Sequence, residues 1–482
     1  MKTVKISSFL KERKIKLKPH AANCSGLQRI EKIDFSGKIY LSPVQTNTDM
    51  ILVKSGDLVI SGINVEKGAL AIYTGEEDVL ASIHYSAYEF DAEKIDIDYL
   101  KWFLKSNIFR KLLLKQTGSG IKKEIKAKHL LPIEIQLPSL KQQHEIVQQI
   151  QGVANYIEEV NRQIQQQAKY AEMLRQSILQ QAVEGKLCEQ DPNDEPASVL
   201  LEKIKAEKER LIAEKKIKKQ KPLPPISEEE KTFDLPKGWE WCRLGELVTS
   251  VTDGPHYSPE YHDKGIPFIS GRNITLKGID FSTAKFISPQ LHEELSKRCR
   301  PETGDILYTK GGETGKAVVN DIDFEFNVWV HVAVLKPSTF VYNKYLALAL
   351  NSPHCYALSQ KYTHGTGNRD LGLTRMIKIT VPLPPANEQQ RIVQRVTKLM
   401  GQCNLLEREL SISKKYASQL MESVLQEAFS VQETAKPAQV IEFHPDQTIP
   451  ETELLAAARG KIREDTWEHL CKRALEIAGE EG

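Results

Sequence analysis

Apolar residues recur at alternating intervals of four and three along two segments of this chain. The first series is Ile146, Ile150, Val153, Ile157, Val160 and Ile164, and the second is Ile392, Val396, Leu399, Cys403, Leu406 and Leu410. A period near 3.5 residues keeps one narrow apolar stripe on the same side of a helix, which is typical of coiled-coil packing. Gln, Glu, Lys and Arg dominate the positions between, so we expect the other helix faces to be solvated.

The two series belong to copies of one sequence that lie 246 residues apart. "LPSLKQQHEIV" begins at Leu137 and "LPPANEQQRIV" begins at Leu383. Proline just before each series is tolerated at a helix start, and each helix should run for roughly 40 residues, or about 60 Å. We predict that the helices pair with each other within the chain through Ile146, Ile150, Val153, Ile157, Ile392, Val396, Leu399 and Leu406. The alternative is that each helix packs only on its own globular core.

The similarity extends backward from both helices. "QTGSGIKKEIKAKHLLPIEIQLP" from Gln116 resembles "THGTGNRDLGLTRMIKITVPLP" from Thr363, and "GDLVISGINVEKGA" from Gly56 resembles "GDILYTKGGETGKA" from Gly304. β-Branched and aromatic runs broken by glycine predict strand–turn–strand units. The sequence therefore predicts an α/β (α+β) protein in which two duplicated globular domains are joined by two long antiparallel coiled-coil helices, with pseudo-two-fold symmetry.

The boundaries follow from the repeat and from shifts in composition. We predict a first globular domain at 1–140, a long helix at 141–190, a linker at 191–234, a second globular domain at 235–384, a second long helix at 385–430 and an extension of unknown role at 431–482. The stretch 200–221 of the linker carries nine Lys and Arg against four Glu. It is interpreted either as a solvated spacer helix or as a basic nucleic-acid surface. The Pro-rich end, "KPLPPISEEE", is typical of an extended linker.

Composition indicates a globular protein of the cytoplasm. The chain has 482 residues, 40% hydrophobic and 27% charged, with a formal net charge of +2. We see no secretory leader in its first residues and no apolar run long enough to cross a membrane. Seven scattered cysteines, without a Cys-x-x-Cys pair, fit a reducing compartment. With so small a net charge, any nucleic-acid surface must be local.

No arrangement of residues typical of catalysis is recognisable. The sequence has no phosphate-binding G-x-x-x-x-G-K-[ST] loop and no complete G-x-G-x-x-G. "NSPH" (351–354) departs at two positions from the Asn/Asp-Pro-Pro-aromatic motif of amino-methyltransferases. The histidines show no metal-ligand spacing, and His20, His129, His256 and His364 are interpreted as loop or surface residues. These absences favour a binding scaffold, without catalytic or metal-ligating residues, over an enzyme.

The repeated segments resemble the specificity subunit of Type I restriction–modification systems. The resemblance rests on "LPLPPANEQQRIV" at the second helix, on "LCEQDPNDEPASVLLEKIKAEKERLIAEKKIKKQKPLP" (187–224) and on "LPKGWEWCRLGEL" (235–247). "TDGPHYSPEY" and "GIPFISGRNI" (252–274) are similar to the opening of one type of target-recognition domain. The first domain lacks the Leu-Pro-x-Gly-Trp entry of the second, and residues after 430 lie outside the resemblance.

The resemblance implies a subunit that is not itself catalytic. Its two target-recognition domains would each bind half of a split, asymmetric site in double-stranded DNA, and the paired helices would set the gap between the halves. Its partners would be two methyltransferase subunits, which use S-adenosylmethionine, and restriction subunits, which use ATP and Mg²⁺. No cofactor would bind to this chain. Two other interpretations remain: a specificity subunit of a related methylase–nuclease with a fused catalytic chain, and a coiled-coil adaptor that binds proteins.

Polar residues beside glycine turns are the candidates for DNA contact, because base edges are matched by Arg, Lys, Asn and Gln from loops or helices. Tyr257 and Tyr261 could line the same surface or pack internally. The candidates in the first domain are Asn64, Lys67, Lys122 and Lys123. Those in the second domain are Arg272, Asn273, Lys310, Lys316, Asn368 and Arg369.

Overall fold

A computed structural model describes residues 2–18, 26–43, 48–117, 124–367 and 369–430 of the chain. The chain divides into two compact units. The first contains Met1–Gln166 and the segment that begins at Leu410, and the second contains Gln167–Glu409. Each unit combines β-sheets with helices, as predicted.

The first unit is built from three antiparallel or mixed sheets. Its strands are β1 (Lys2–Lys5), β2 (Leu10–Glu12), β3 (Lys16–Leu17), β4 (Arg29–Ile33), β5 (Ile39–Ser42), β6 (Met50–Val53), β7 (Leu58–Ser61), β8 (Leu70–Ile72), β9 (Val79–Ser82), β10 (Tyr85–Phe90) and β11 (Glu134–Leu137). Its helices are α1 (Ile97–Lys105), α2 (Asn107–Thr117), α3 (Ala127–Leu130) and the beginning of α4 (Leu140–Val183). The sheets have the orders β1-β11, β2-β10-β7-β8 and β3-β6-β9-β4-β5.

The second unit begins with the end of α4 and contains four sheets. Its strands are β12 (Glu240–Arg243), β13 (Val248–Asp253), β14 (Ile266–Ile269), β15 (Ile274–Thr275), β16 (Gly278–Ile279), β17 (Lys285–Ile287), β18 (Ile306–Thr309), β19 (Ala317–Val319), β20 (Asn327–Val328), β21 (Val332–Pro337) and β22 (Thr380–Leu383). Its helices are α5 (Ala197–Ala213), α6 (Leu244–Leu247), α7 (Pro289–Ser296), α8 (Asn343–Leu350), α9 (Pro353–Tyr362), α10 (Leu373–Met376) and the beginning of α11 (Ala386–Phe429). The sheet orders are β12-β22, β13-β21-β18-β19, β17-β14-β20 and β15-β16.

The two units repeat one topology. The four-stranded sheet β2-β10-β7-β8 has its counterpart in β13-β21-β18-β19, and the antiparallel pair β1-β11 has its counterpart in β12-β22. Helices α1, α2 and α3 correspond to α8, α9 and α10, and α4 corresponds to α11. Each of these helices in the second copy begins 246 residues after its partner. The fold confirms the predicted duplication of a mixed α/β domain followed by a long helix.

The end of α4 and the start of α11 pack together in the second unit. Ile178 and Val183 of α4 share one apolar core with Ile392 and Val396 of α11. Beside this core, the Arg175 guanidinium donates to Glu407 Oε1 at 3.0 Å and to Asn404 Oδ1 at 2.6 Å. Because the C-terminal part of one helix meets the N-terminal part of the other, the helices run in opposite directions here.

The opposite ends meet within the first unit. Phe429, the last residue of α11, contacts the ring of Tyr99 edge-on with 5.2 Å between centroids, and that of Phe103 at 5.5 Å. Ile146, in the second turn of α4, packs against the same apolar core. These contacts confirm that the two long helices pack together. Each helix also packs on the core of a globular unit, as the alternative interpretation proposed.

The predicted apolar stripes are largely buried. Ile150, Ile157, Ile392 and Val396 are buried, and Ile146, Val153, Leu399 and Leu406 are partly buried. Continued at the same spacing, the second stripe would reach Ala417 and Leu420, but Leu420 is 43% exposed and Leu425 is buried instead. The first helix stops at Val183, short of the expected 190, because Gly185 adopts a φ of 70° and ends it.

One glutamine of the repeated motif has the same structural role in both copies. The buried Gln143 side chain donates to the carbonyls of Pro138 and Lys94, both at 2.9 Å, and accepts the Asp96 N–H at 2.8 Å. Its counterpart, Gln389, donates to Pro384 O at 3.1 Å and accepts the Tyr342 N–H at 2.9 Å. The Gln143 side chain therefore connects the start of α4 to the start of α1, and the Gln389 side chain connects the start of α11 to the start of α8.

Replacing Gln389 with alanine should lower the free energy of unfolding by about 1–3 kcal/mol, because the substitution leaves a buried N–H and a buried carbonyl without partners. Gln390→Ala is the matched control: it removes the neighbouring glutamine, which is exposed, and should change stability by less than about 0.5 kcal/mol. Urea denaturation of the full chain measures both. Equal stabilities for the two variants would contradict the assigned role of Gln389.

The segment between the repeats is docked on the second unit. Ala197, Leu200 and Ile204 of α5 are buried in the unit's core, and the buried Glu207 carboxylate accepts hydrogen bonds from Ser338 and Thr339. Helix α5 is therefore a packed amphipathic helix whose outer face alone is solvated.

The Pro-rich stretch that follows α5 is fixed by Arg243. This buried guanidinium donates to the carbonyls of Pro224 and Pro225 and makes a bidentate pair with Glu230, at 2.6 and 2.8 Å. Its hydrogen bonds lower the pKa of Glu230 to about 2. The predicted extended linker thus has a defined course along the second unit.

Candidate nucleic-acid interface

The glycine turns of the second unit converge on one surface, which we name the second loop cluster: residues 270–273, 310–316, 329–331, 364–367 and 369–371. The Lys310 N–H donates to His331 O at 2.9 Å, and Lys310 O accepts the Leu371 N–H at 2.8 Å. The Gly312 N–H donates to Arg369 O at 3.0 Å. These backbone bonds connect turns that are separated by up to about 60 residues in sequence and bring several of the predicted DNA-contact residues together.

A buried lysine neutralises the acidic groups beneath this surface. Lys310, which is 3% exposed, places Nζ 2.8 Å from Asp370 Oδ1 and 3.4 Å from Asp253 Oδ2. Asp253 is also paired with Arg298 at 2.6 Å. Burial raises the pKa of Asp370, but the hydrogen bond and charge of Lys310, the Gly372 N–H and the charge of Arg375 together hold that pKa below its usual value. Both carboxylates are therefore paired with cationic side chains within the second unit.

Trp329 and His331 lie at the centre of the second loop cluster and are partly buried. Their rings meet edge to face with 4.7 Å between centroids, and Trp329 Nε1 donates to Tyr257 O at 3.2 Å. Partial burial lowers the pKa of His331, and the charge of Lys310 lowers it further. The imidazole is therefore neutral at pH 7, and its nitrogens form no hydrogen bond to any residue that the structure describes.

The predicted contact residues of the second unit differ in their accessibility. Arg272 and Arg369 are exposed, and Arg369 donates to Gln360 Oε1 at 2.7 Å. Lys316 is partly exposed and pairs with Glu313 at 2.6 Å. Asn368 lies outside the described residues. The exposed arginines are accordingly the strongest of the predicted candidates.

Two predicted contact residues are instead internal supports. Asn273 is 2% exposed: its Oδ1 accepts the Ser270 N–H at 2.9 Å, and its Nδ2 donates to Asp280 O at 2.8 Å. Lys310 is held by its two aspartates as described above. The burial of Asn273 and Lys310 corrects the hypothesis that their side chains contact bases. The sequence pattern did not distinguish a polar side chain that stabilises a turn from one that projects from it.

The first unit repeats the convergence of turns. The Gly62 N–H donates to His84 O and Gly62 O accepts the Ile125 N–H, both at 2.8 Å, just as Lys310 contacts His331 and Leu371. Asn64 precedes a 3-10 turn at Val65–Lys67, and Lys67 Nζ lies 5.5 Å from the centre of the Phe35 ring. Lys122 and Lys123 lie outside the described residues. We name residues 61–69, 84 and 124–126 the first loop cluster.

The sequence interpretation missed His84 and His331, which occupy equivalent positions in the two clusters. His84 immediately precedes β10, which pairs with β7, and His331 immediately precedes β21, which pairs with β18. Strands β7 and β18 each lead into a glycine turn. The only sequence signal is a histidine before an apolar strand, in "HYSAY" and "HVAVL".

The described parts of the chain contain no helix long and apolar enough to cross a lipid bilayer. Within these same parts, no group of three or more His, Cys, Asp or Glu side chains is arranged to hold a metal ion.

Comparison with known proteins finds similarity over much of the second unit. A family model described as Type I restriction modification DNA specificity domain matches residues 236–413. The EcoAI specificity subunit of the Type I restriction enzyme of Escherichia coli is 32% identical over 255 residues, which cover 52% of this chain and 43% of that protein. The EcoEI specificity subunit, also from Escherichia coli, is 31% identical over 264 residues with the same coverage. The chain thus aligns with less than half the length of these relatives.

A solved structure has the same fold over almost the whole chain. It comes from work titled as the structural basis of complex assembly and conformational transition of the type I R-M system. The match covers 89% of this chain and 97% of the solved one, with a TM-score of 0.64 and 16% sequence identity. This agreement extends the shared fold beyond the matched domain to the first unit and the long helices.

Proposed function

We infer that this chain, in which residues 236–413 match a family model described as Type I restriction modification DNA specificity domain, is the DNA-recognition subunit of a Type I restriction–modification complex. It has no catalytic activity of its own and acts in the cytoplasm. Each unit binds one half of a bipartite asymmetric target in double-stranded DNA. Two methyltransferase subunits, which use S-adenosylmethionine, and restriction subunits, which use ATP and Mg²⁺, are its partners.

The observation that carries this proposal is the repetition of one loop cluster in both units. Each cluster is fixed by the same backbone hydrogen bonds around a histidine at the start of a central strand. Two similar surfaces with different side chains can bind two different short sequences, which fits an asymmetric site with two halves. An adaptor that binds proteins would not require polar and cationic turns at these two equivalent places.

The proposed contacts with DNA phosphates predict a salt dependence of the binding constant that can be measured. Arg272 and Arg369 are exposed in the second loop cluster, and each phosphate contact contributes about −0.9 to the slope of log K against log salt. Replacing both arginines with alanine should therefore weaken binding of the full chain to all duplexes and reduce that slope by about 2. Arg408→Ala, which removes an exposed arginine from α11, is the control and should leave the slope unchanged.

Fluorescence anisotropy with labelled duplexes at several salt concentrations provides the affinities. A full chain that binds duplex DNA no more tightly than an unrelated protein of the same charge would refute the proposed function. A double variant with an unaltered salt slope would leave DNA binding in place but would remove the second loop cluster from the contact surface.

A further inference from the structure

We propose that His84 and His331 are specificity-determining residues, each contacting the edge of a base pair in the half-site that its own unit binds. The assignment rests on the proposed DNA-recognition function and goes beyond it, because it names the same position in each unit as the point of sequence readout. It derives from the geometry of the two loop clusters and from the hydrogen-bonding chemistry of imidazole.

The two histidines are equivalent by strand pairing and by backbone hydrogen bonds. Tyr85, which follows His84, pairs with Ser61, and Val332, which follows His331, pairs with Thr309. The carbonyl of each histidine accepts an N–H from the residue just after that partner strand, Gly62 at 2.8 Å or Lys310 at 2.9 Å. Each histidine therefore stands where the turns of its unit meet.

The His331 ring is held in one orientation from two sides. It rests on Gly311, where an added β-carbon would overlap Nδ1, and it meets the Trp329 ring edge to face. The indole is itself fixed by its hydrogen bond to Tyr257 O. A side chain that distinguishes bases must hold its polar atoms in a defined direction, and this packing supplies that constraint.

The chemistry of a neutral imidazole matches base edges. One ring nitrogen donates and the other accepts, and the major groove displays both acceptors and donors on each type of base pair. The ring nitrogens of His331 have no hydrogen-bond partner among the described residues, so they are available for an external one. The exposed Arg272 and Arg369 of the same cluster supply charge for phosphates, and the uncharged His331 ring lies beside them as a group that can contact a base edge.

The environment of His84 predicts what it recognises. Its side chain is 56% exposed, and Nδ1 lies 3.0 Å from Glu124 Oε1. A carboxylate beside Nδ1 favours the tautomer that carries the proton there, so in the neutral ring Nε2 is left as an acceptor. An acceptor in the major groove pairs with the N6 amino group of adenine or the N4 amino group of cytosine.

Selection from a pool of randomised duplexes by the full chain tests the assignment. Wild type should enrich a bipartite site. His331→Ala should reduce preference at one or two adjacent positions in one half by about 5- to 150-fold, the range for one good base contact. His84→Ala should do the same only in the other half, and Gly311→Ala, which displaces the His331 ring, should reproduce the His331→Ala result. His144→Ala removes an exposed histidine of α4 and should change neither half.

The outcomes distinguish failure of the histidine assignment from failure of the proposed DNA-recognition function. A wild-type chain that enriches no site would overturn the proposed function and the assignment together. If His331→Ala and His84→Ala enrich the same bipartite site as wild type, the assignment alone is overturned. The same holds if the two variants bind all duplexes more weakly but keep the wild-type base preferences. Thermal melting, together with His331→Gln and His84→Gln, which retain polar side chains, distinguishes loss of readout from loss of folding.

Discussion

Lys310→Ala is expected to lower the free energy of unfolding by about 3 kcal/mol and to abolish sequence-selective binding by the second unit. The Lys310 side chain is 4% exposed and pairs with Asp253, which is equally buried, and with the more exposed Asp370. Its removal therefore leaves the buried Asp253 carboxylate with partners that only partly offset its charge. The Lys310 backbone also connects the turns at His331 and Leu371, so disorder at this residue would reach the whole second loop cluster.

Lys316→Ala is the matched control for this prediction. Lys316 ends the same turn, but it is partly exposed and pairs only with the exposed Glu313, so its loss should cost less than about 1 kcal/mol. Chemical denaturation of the full chain measures both variants. If Lys310→Ala and Lys316→Ala are equally stable, the buried pairing does not hold the loops together.

Removing seven residues from each long helix is expected to eliminate binding to the wild-type site and to favour a site with a shorter gap. The contacts of Arg175 with Asn404 and Glu407 define the antiparallel register at that point. Extending this register along both helices gives 160–166 and 414–420 as the matched segments to delete. Deleting both segments preserves the 3.5-residue stripe and shortens each helix by about 10 Å. At about 3.4 Å per base pair, the preferred gap should shrink by about three base pairs.

Selection from duplexes whose half-sites are separated by every gap length provides the readout. Replacing the same residues with a heptad of equal apolar pattern, without deletion, is the control and should retain the wild-type gap. A deletion variant that still prefers the wild-type gap would exclude the helices as the element that sets spacing.

Much of the fold was predictable because it follows from local patterns. The 3.5-residue stripe and the 246-residue offset identified both long helices, since an apolar seam must be covered by a partner. The prediction failed where burial depends on tertiary context, as at Leu420, which is exposed although the period places it on the stripe. The packed course of α5 depends on contacts with Ser338 and Thr339 that no local pattern reveals.

The candidate site was less predictable for a related reason. Glycine turns located the loops, but whether a polar side chain supports a turn or projects from it depends on residues distant in sequence. Lys310 is internal because β13 ends at Asp253, and Asn273 is internal because Asp280 accepts its amide. The equivalence of His84 and His331 follows from strand pairing, since a histidine before an apolar strand is too weak a sequence signal to separate them from the other histidines.

The most direct test of the modular DNA-recognition account is to exchange residues 1–140 for the first domain of another specificity subunit and to map N6-methyladenine across the DNA of cells that express the chimaera with its methyltransferase. The account predicts a bipartite methylated motif in which one half changes and the other half, together with the gap, is retained. A motif whose halves are both unchanged, or both altered, would contradict it.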